Sequence, residues 1–243
     1  MAPPGSPMCY HQADKPHGFK TWLSTTVAPG RGTVYAVPEL QLFDGAVEHT
    51  FSDAFTPEEH RILVELGLST EEAKQLEANT RQQSLSKEWH SAREHRLTAS
   101  AFGTVVKRQD WTEKGLRNLL EPKYPSRVRA IQYGRKNEPL AAERYDSLMK
   151  SAGHSISVQH CGLVVNPSYP WLGGSPDRLV YDPEELSYGR VEIECLYTLK
   201  DSDPSVVSAT NFYLTIENEE PRLRRDDTYY FQVLGKMALT GCQ

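Results

Sequence analysis

Residues 173–195 read GGSPDRLVYDPEELSYGRVEIEC, and this stretch decides the predicted fold. Two strand-like runs, 179–181 and 191–195, are separated by a segment with turn-forming residues, as in a β-hairpin. Asp177 follows the Ser-Pro turn before the first run, and Glu192 lies in the second run, 15 positions later. The predicted hairpin therefore brings two carboxylates to one place, which is what a divalent metal site needs.

A third acid, Glu194, makes the second run unusual. Side chains alternate along a strand, so Glu192 and Glu194 are expected on one face. Asp177, Glu192 and the backbone carbonyl of Ile193 would give the oxygen ligands that magnesium prefers. Two plainer interpretations remain open: the acids solvate the outer face of a half-exposed strand, and Ser-Pro-Asp is an ordinary turn.

The composition of the 243-residue chain is that of a globular protein, with 38% hydrophobic and 24% charged residues. No apolar run approaches the ~20 residues that span a bilayer, and residues 1–7 lack the blocks of a signal peptide. The four cysteines are scattered without C-x-x-C spacing, which disfavours a zinc ribbon or a disulfide scaffold. We therefore expect an intracellular, soluble protein of the nucleus or cytoplasm, neither secreted nor membrane-bound.

Positive charge is concentrated in the middle of the chain. Residues 81–150 hold 15 Lys and Arg against 8 Asp and Glu, whereas residues 1–80 and 151–243 each have a net charge of −6. The Lys and Arg residues of a basic segment can bind phosphate groups, while the carboxylates of a neighbouring acidic segment bind a metal ion. The plainer alternative is that these charges only solvate helix faces.

Local patterns divide the chain into three parts. Residues 1–50 are rich in Pro and Gly and are predicted to be an extended or partly disordered lead-in. Residues 51–84 are predicted to form a small helical appendage, in which Thr56 and Ser69 begin helices as N-caps. Residues 85–243 are predicted to form an α/β layer with a central mixed sheet flanked by helices. The predicted helices span 86–107, 112–120, 133–150 and 226–240, and the predicted strands span 157–158, 162–165, 179–181 and 191–195.

Five sequence marks in a fixed order carry a family resemblance. They are Trp89-His90-Ser91-Ala92-Arg93 with Arg96-Leu97-Thr98-Ala99-Ser100, then Tyr133-Gly134 with Glu138, then residues 173–177, 191–195 and 230–237. Over residues 85–243 the chain resembles the lambda exonuclease-like, YqaJ-type viral recombinase nucleases, which have the restriction-endonuclease-like core of the PD-(D/E)xK superfamily. The resemblance implies a 5′-to-3′ exonuclease on duplex DNA ends that uses Mg²⁺, with Mn²⁺ as a substitute, and a homo-oligomer that is trimeric.

The resemblance assigns the metal-site roles. Asp177, Glu192 and the Ile193 carbonyl would be metal ligands, and Glu138 would reach the metal from its helix, directly or through water. Gln232 would orient a water or a phosphate near the catalytic acids. The ordinary alternatives are that Glu138 is an exposed helix acid and that Gln232 is a helix-surface amide.

The resemblance also assigns a DNA-binding group. Arg93 would bind the terminal 5′-phosphate, because its planar guanidinium suits two phosphate oxygens. Ser100 would add a hydroxyl hydrogen bond, and Arg96 belongs to the same basic segment. The alternative for Arg93 is a surface ion pair with a nearby acid.

The chain departs from the family pattern at Glu194, where the family has a lysine. Glutamate in place of lysine changes the charge at this position from +1 to −1. This is a large change in electrostatic energy, since unit charges ~4 Å apart interact by ~4 kcal/mol at an effective dielectric of 20. Three outcomes remain open: Glu194 acts as a catalytic general base, Lys200 serves as a substitute lysine, or the site is impaired. The third outcome corresponds to a DNA-binding relic of the same fold, and a protein-interaction domain without a DNA role is a further class.

Two smaller departures concern the end of the chain. Leu196 stands where a proline commonly follows the family's cysteine. The resemblance also implies further strands after the last helix, which favours a domain truncated at its C-terminus.

Overall fold

The computed structural model describes residues 55–120, 128–201, 212–217 and 220–242. The predicted lead-in, residues 1–50, lies outside the described residues.

Two capped helices begin the described part of the chain. α1 (Pro57–Leu66) begins after Thr56, whose side chain accepts a hydrogen bond from the Glu59 amide. α2 (Thr70–Asn79) begins after Ser69 with the same reciprocal capping box. Both predicted helix starts are confirmed, because each cap satisfies amides that the first turn leaves without partners.

Hydrogen bonds join these N-terminal helices to the rest of the molecule. Glu77 Oε1, in α2, accepts from the Gly162 amide at 2.9 Å. In the 3₁₀ turn after α2, Gln83 Nε2 lies 2.9 Å from the carbonyl of Pro176, to which it donates. Pro176 precedes Asp177, so the N-terminal helices hold the backbone beside a predicted site residue.

The predicted helix 86–107 is wrong as a single helix. α3 (Lys87–Ala92) and α4 (Ala99–Lys107) are separated by a turn and by strand β1 (Leu97–Thr98). His95 in the turn has a left-handed φ of 58°, which a right-handed helix does not accommodate. The sequence pattern missed the break because apolar residues on both sides keep a helical spacing.

The next two predicted helices are confirmed. α5 spans Glu113–Leu120, and α6 spans Arg129–Ser151 with Pro139 inside it. α6 packs against the 3₁₀ turn Tyr197–Leu199 and against strand β2, so it borders the region that follows Glu192.

The strands lie in three small sheets within the described residues. β2 (Ser157–His160), β4 (Arg178–Asp182) and β5 (Ser187–Val191) form an antiparallel sheet with β4 at its centre. β1 pairs in parallel with β3 (Leu172–Gly173), and β6 (Leu214–Glu217) pairs antiparallel with β7 (Glu220–Leu223). Helices combined with strands of both orientations confirm the predicted α/β class.

The predicted strand 162–165 is wrong. This segment is buried but makes a single bridge, between Val164 and Gly174. The amides of Gly162 and Leu163 bond to the side chains of Glu77 and Thr80, at 2.9 and 2.8 Å, and not to a neighbouring strand. Side chains from α2 thus replace a backbone ladder here.

The predicted strand 191–195 is also wrong in extent, because β5 ends at Val191. The amide of Ile193 donates to Asp177 Oδ2 at 2.7 Å, so a carboxylate takes the place of a strand carbonyl. The positions of Glu192 and Glu194 therefore do not follow from strand alternation. Strands β1, β3, β6 and β7 were not predicted, since each is only two to four residues long.

The last predicted helix is confirmed as α7 (Thr228–Thr240), with Asp227 as its N-cap. α7 packs closely on α4: a Cβ placed on Gly103 would lie 2.4 Å from the Thr228 carbonyl oxygen. A Cβ on Gly235 would lie 2.0 Å from the Phe102 ring. The two glycines allow an approach that a larger residue would prevent.

Two buried clusters lie on opposite faces of β4, because Leu179 and Val180 are adjacent and strand side chains alternate. Leu179 packs with Cys161, Val164 and Cys242, and Val180 packs with Met149 and Ile156.

Among the helices that the structure describes, none has the length and apolar character needed to cross a membrane.

Candidate active site

Asp177 lies directly before β4 and faces the segment that follows β5. Its Oδ2 accepts the Ile193 amide at 2.7 Å. The contact runs through the amide of Ile193, whereas the prediction used its carbonyl. The neighbouring Arg178 is buried and donates to the Asp177 carbonyl at 2.6 Å. Asp177 and Glu192 each adjoin the last paired residues of the hairpin, Arg178 and Val191, and so lie just outside β4 and β5.

Glu192 forms a buried ion pair with a residue that the sequence prediction did not include. Lys236 Nζ, from α7, donates to Glu192 Oε2. The two side chains are only 8% and 10% exposed. The other oxygen, Glu192 Oε1, is buried and has no hydrogen-bond partner among the described residues. A buried carboxylate oxygen without a partner is costly, so this atom marks a place where a ligand would be favoured.

Glu194 is exposed and lies towards the start of α7. It forms a side-chain hydrogen bond with Tyr229, in the first turn of that helix. Tyr229 is half-buried, and its pKa is raised by burial and by the negative charges of Glu194 and Glu192. Glu194 is therefore held near the other two acids although no strand places it there.

The acids share one electrostatic environment. Burial raises the pKa of Asp177 and of Glu192, and the negative charge of Asp177 raises the pKa of Glu192 further. Partial desolvation and Asp177 likewise raise the pKa of Glu194. The positive charge of Lys236 opposes these effects at all three carboxylates. Lys236 thus offsets part of the cost of burying a negative charge at Glu192.

Glu138 reaches this region from α6, but its carboxylate already has a partner. Arg178 Nη1 donates to Glu138 Oε1 at 2.8 Å, and the Arg178 side chain is 7% exposed. Glu138 is close enough for its charge to raise the pKa of Asp177. Arg178 therefore links Glu138 to the backbone of Asp177.

The predicted phosphate-binding residues meet at the N-terminus of α4. Arg93 Nη2 donates to Thr98 Oγ1 at 3.3 Å, and Thr98 Oγ1 lies 3.2 Å from Ser100 Oγ. The Arg93 guanidinium carbon lies 3.8 Å from the centre of the Trp89 ring. The side chain of Arg93 contacts Thr98 and Trp89 among the described residues, and burial lowers its pKa.

Trp89 connects the two parts of the site. Its Nε1 donates to Ser175 Oγ at 2.9 Å. Ser175 lies two positions before Asp177, so one indole supports Arg93 by a cation–π contact and fixes the loop that carries Asp177. The motif that contains Trp89 did not predict this connecting role.

Arg96 and Lys200 lie in environments that differ from the predicted ones. Arg96 donates to the backbone carbonyls of Ala92, Leu66 and Pro170, at 2.5, 3.0 and 2.8 Å, and thereby stabilises the break between α3 and β1. These three bonds give Arg96 a structural role, and its contact with DNA stays a prediction. Lys200 donates to Asp201 at 2.6 Å, and it does not contact Glu192.

One face of α7 meets the acids. Tyr229, Gln232 and Lys236 are spaced three and four residues apart, so they lie on the same side of the helix. Gln232 is half-buried between the two residues that bond to Glu194 and Glu192. Tyr229 and Lys236 were missed as site residues, although helical spacing from Gln232 was a signal that could have identified both.

The acids fit a hard cation in donor type but do not form a complete cage. Asp177 and Glu192 provide carboxylate oxygens, and Glu192 Oε1 is buried without a partner. Among the residues described, no three His, Cys, Asp or Glu side chains are grouped so as to hold a metal by themselves. An oxygen set of this size suits magnesium, which keeps several of its waters.

This α/β domain joins paired carboxylates to a basic helical segment, which are the residue types that a metal-dependent nuclease needs. The YqaJ-like viral recombinase domain matches residues 88–243, well over half of the chain. The chain therefore belongs to the family of YqaJ-like viral recombinase domains, which confirms the resemblance seen in residues 85–243.

Solved structures similar to this chain include an alkaline exonuclease and a protein–DNA complex. LHK-Exo in complex with dAMP is 25% identical, with a TM-score of 0.41, and the match covers 65% of this chain and 70% of that one. The alkaline exonuclease LHK-Exo from Laribacter hongkongensis is 25% identical with a TM-score of 0.39 and the same coverage. A SOX–DNA complex is 21% identical with a TM-score of 0.35, covering 51% of this chain and 24% of that one. No curated protein matches the chain.

Proposed function

We propose that this protein is a magnesium-dependent deoxyribonuclease that digests duplex DNA from 5′ ends. The observation that carries the proposal is the meeting of Asp177 with the Glu192–Ile193 segment, where Glu192 Oε1 is buried without a partner. Family membership supports the same class of reaction.

In this proposal the acids at the end of the β4–β5 hairpin hold the metal. Asp177, Glu192 and the Ile193 carbonyl are the ligands, and Glu138, which is engaged by Arg178, acts through water. A bound magnesium ion would polarise the phosphate and make hydroxide available near neutral pH. Mn²⁺ would substitute because it accepts the same oxygen ligands.

The chain's own residues orient the DNA and the water. Arg93 binds the terminal 5′-phosphate from its place on the Trp89 ring, and Ser100 adds a hydroxyl donor at the N-terminus of α4. Gln232 orients the attacking water between α7 and the acids. Assembly as a trimer, and a nuclear or cytoplasmic location, remain predictions from the resemblance and the sequence.

A second candidate function is DNA binding without cleavage. Glu194 occupies the position where the family pattern has a lysine, which favours this alternative. Under this alternative, the protein binds duplex DNA in a salt-sensitive way and magnesium produces no products.

The test is a cleavage assay on linear duplex DNA with Mg²⁺, Mn²⁺ or a chelator. We expect Mg²⁺-dependent digestion, faster on 5′-phosphorylated ends, and at least about a 100-fold loss of rate in Asp177→Asn and Glu192→Gln. Glu185→Gln, an exposed acid between β4 and β5, is the matched control and should cleave normally. Binding without digestion would favour the second candidate, and unaltered digestion by both variants would refute the assigned ligands.

A further inference from the structure

A buried lysine occupies an unexpected position in the acid site. Lys236 is among the buried charged residues and donates to Glu192 Oε2. Lysine is almost never fully buried unless it is paired, because its charge loses hydration and its long side chain loses rotamer freedom. A buried lysine at this point therefore needs an explanation beyond packing.

The location of Lys236 on α7 connects it to the whole site. It lies four residues after Gln232 and seven after Tyr229, on the helix face that meets Glu192 and Glu194. Lys236 is the cation whose charge acts on Asp177, Glu192 and Glu194 together, whereas Arg178 acts on Asp177 and Arg190 on Glu192. The position of Lys236 is thus central to the acids and not peripheral to them.

The charge balance of the site indicates what this lysine does. Three carboxylates lie together, and the substrate that the proposed function requires is itself an anion. A preorganised cation in a water-poor site lowers the energy of the negative charge that develops on a phosphate. Glu194 cannot provide such a charge. Lys236 can, and its bond to Oε2 also leaves Glu192 Oε1 free.

We propose that Lys236 is the positioning cation of the site: it holds Glu192 by Oε2 and supplies from α7 the positive charge that is absent at position 194. The inference rests on the proposed nuclease function for its catalytic consequence. The ion pair itself is a property of this chain that can be measured without cleavage.

The experiment compares Lys236→Met, Lys236→Arg and the double variant Glu194→Lys with Lys236→Met. We expect Lys236→Met to lower kcat at least 100-fold with little change in KM, and Lys236→Arg to keep most of the activity because it keeps the charge. The double variant should recover at least tenfold over Lys236→Met, because the cation returns two residues after Glu192. Lys150→Met, which removes an exposed lysine paired with Asp146, is the matched control and should leave kcat unchanged.

A single variant gives an answer even if Lys236→Met does not fold. Glu194→Lys in the otherwise unchanged chain should raise kcat less than threefold, since Lys236 already provides the charge. A gain of tenfold or more would overturn the proposal, because it would mean that the site lacks a working cation. Thermal melting of every variant separates loss of folding from loss of activity.

A metal titration gives a readout apart from cleavage. At pH 8, Lys236→Met should bind Mn²⁺ at least fivefold more tightly than the unaltered protein, because a like charge and a competitor for Oε2 have been removed. The Mn²⁺ affinity of the double variant should return towards that of the unaltered protein.

The failure of the inference can be distinguished from the failure of the nuclease function. If Asp177→Asn is inactive while Lys236→Met cleaves within threefold of the unaltered rate, the inference about Lys236 is wrong and the nuclease function is supported. If the unaltered protein cleaves no DNA, the proposed nuclease function is wrong. Independently of cleavage, Mn²⁺ binding by Lys236→Met that is unchanged or weaker than in the unaltered protein would overturn the inference about Lys236.

Discussion

At the scale of single residues, Trp89 contacts both parts of the proposed site. Its indole lies under the Arg93 guanidinium and donates to Ser175, two positions before Asp177. The proposed phosphate-binding group and the proposed metal ligand therefore share one support. A displacement of this indole would affect both at once.

We expect Arg93→Lys to weaken the preference for 5′-phosphorylated ends by about 10- to 100-fold, the worth of one or two charge-assisted hydrogen bonds. Lysine keeps the charge but loses the planar fork and the stacking on Trp89. The measurement is the ratio of digestion rates on 5′-phosphate and 5′-hydroxyl duplexes. The same substitution at Arg117, an exposed α5 residue paired with Glu113, is the control. An unchanged ratio in Arg93→Lys would place the phosphate-binding group elsewhere.

At the scale of elements, the packing of α7 on α4 decides where Lys236 lies. Gly103 in α4 lies against the backbone of Thr228, at the first turn of α7, and Gly235 lies against the Phe102 ring. The face of α7 that carries Lys236 meets the acids only when this approach is close. A helix pair held apart by one methyl group would displace the ion pair with Glu192.

We expect Gly103→Ala to destabilise the protein by about 1–3 kcal/mol. Alanine gains about 1 kcal/mol in helix propensity, but its Cβ would lie 2.4 Å from the Thr228 carbonyl oxygen, and a backbone atom cannot rotate away. Chemical denaturation measures the change. Val106→Ala, at an exposed position of the same helix, should change the free energy of unfolding by no more than about 0.5 kcal/mol. If the Gly103→Ala protein has the same free energy of unfolding as the unaltered protein, α7 can move away from α4 without loss of stability.

At the scale of the whole molecule, charge is distributed so that cations border the acids. α6 carries Glu138 towards Arg178 and also presents the exposed Arg135, three residues away along the helix. Arg144 is equally exposed on α6 but lies nearly two turns beyond Glu138. Arg135 is therefore nearer than Arg144 to Glu138 along α6, and we expect Arg135 to contact a duplex bound at the proposed site.

We expect Arg135→Ala to weaken binding of duplex DNA and to reduce the slope of log affinity against log salt concentration by about 1, since one phosphate contact is lost. Arg144→Ala is the matched control, because it removes the same residue type from the same helix. The measurement is a binding isotherm at several salt concentrations in the presence of a chelator. Equal changes in both variants would mean that the basic segment attracts DNA only by its overall charge.

The sequence predicted those features that depend on neighbouring residues. Thr56 and Ser69 cap α1 and α2 because a capping box is complete within four residues. α5, α6 and α7 follow from periodic apolar residues, and Asp177 and Glu192 approach each other because a short hairpin joins them. Predictions from the sequence were wrong where side chains from distant parts of the chain take the hydrogen bonds of backbone groups. The Ile193 amide bonds to Asp177, so the strand ends early, and Arg96 binds carbonyls from three segments, so the predicted helix breaks.

The α/β class, the family and the acid pair with Glu194 in place of a lysine could all be predicted from the sequence. Which cation accompanies those acids could not, because it depends on the packing of distant segments. Lys200 is nearer in sequence to Glu192, yet it pairs with Asp201, while Lys236, 44 residues away, bonds to Glu192. Caps and helical periods act over a few residues, whereas this buried ion pair joins a helix to the segment after a distant strand and forms only when the chain packs.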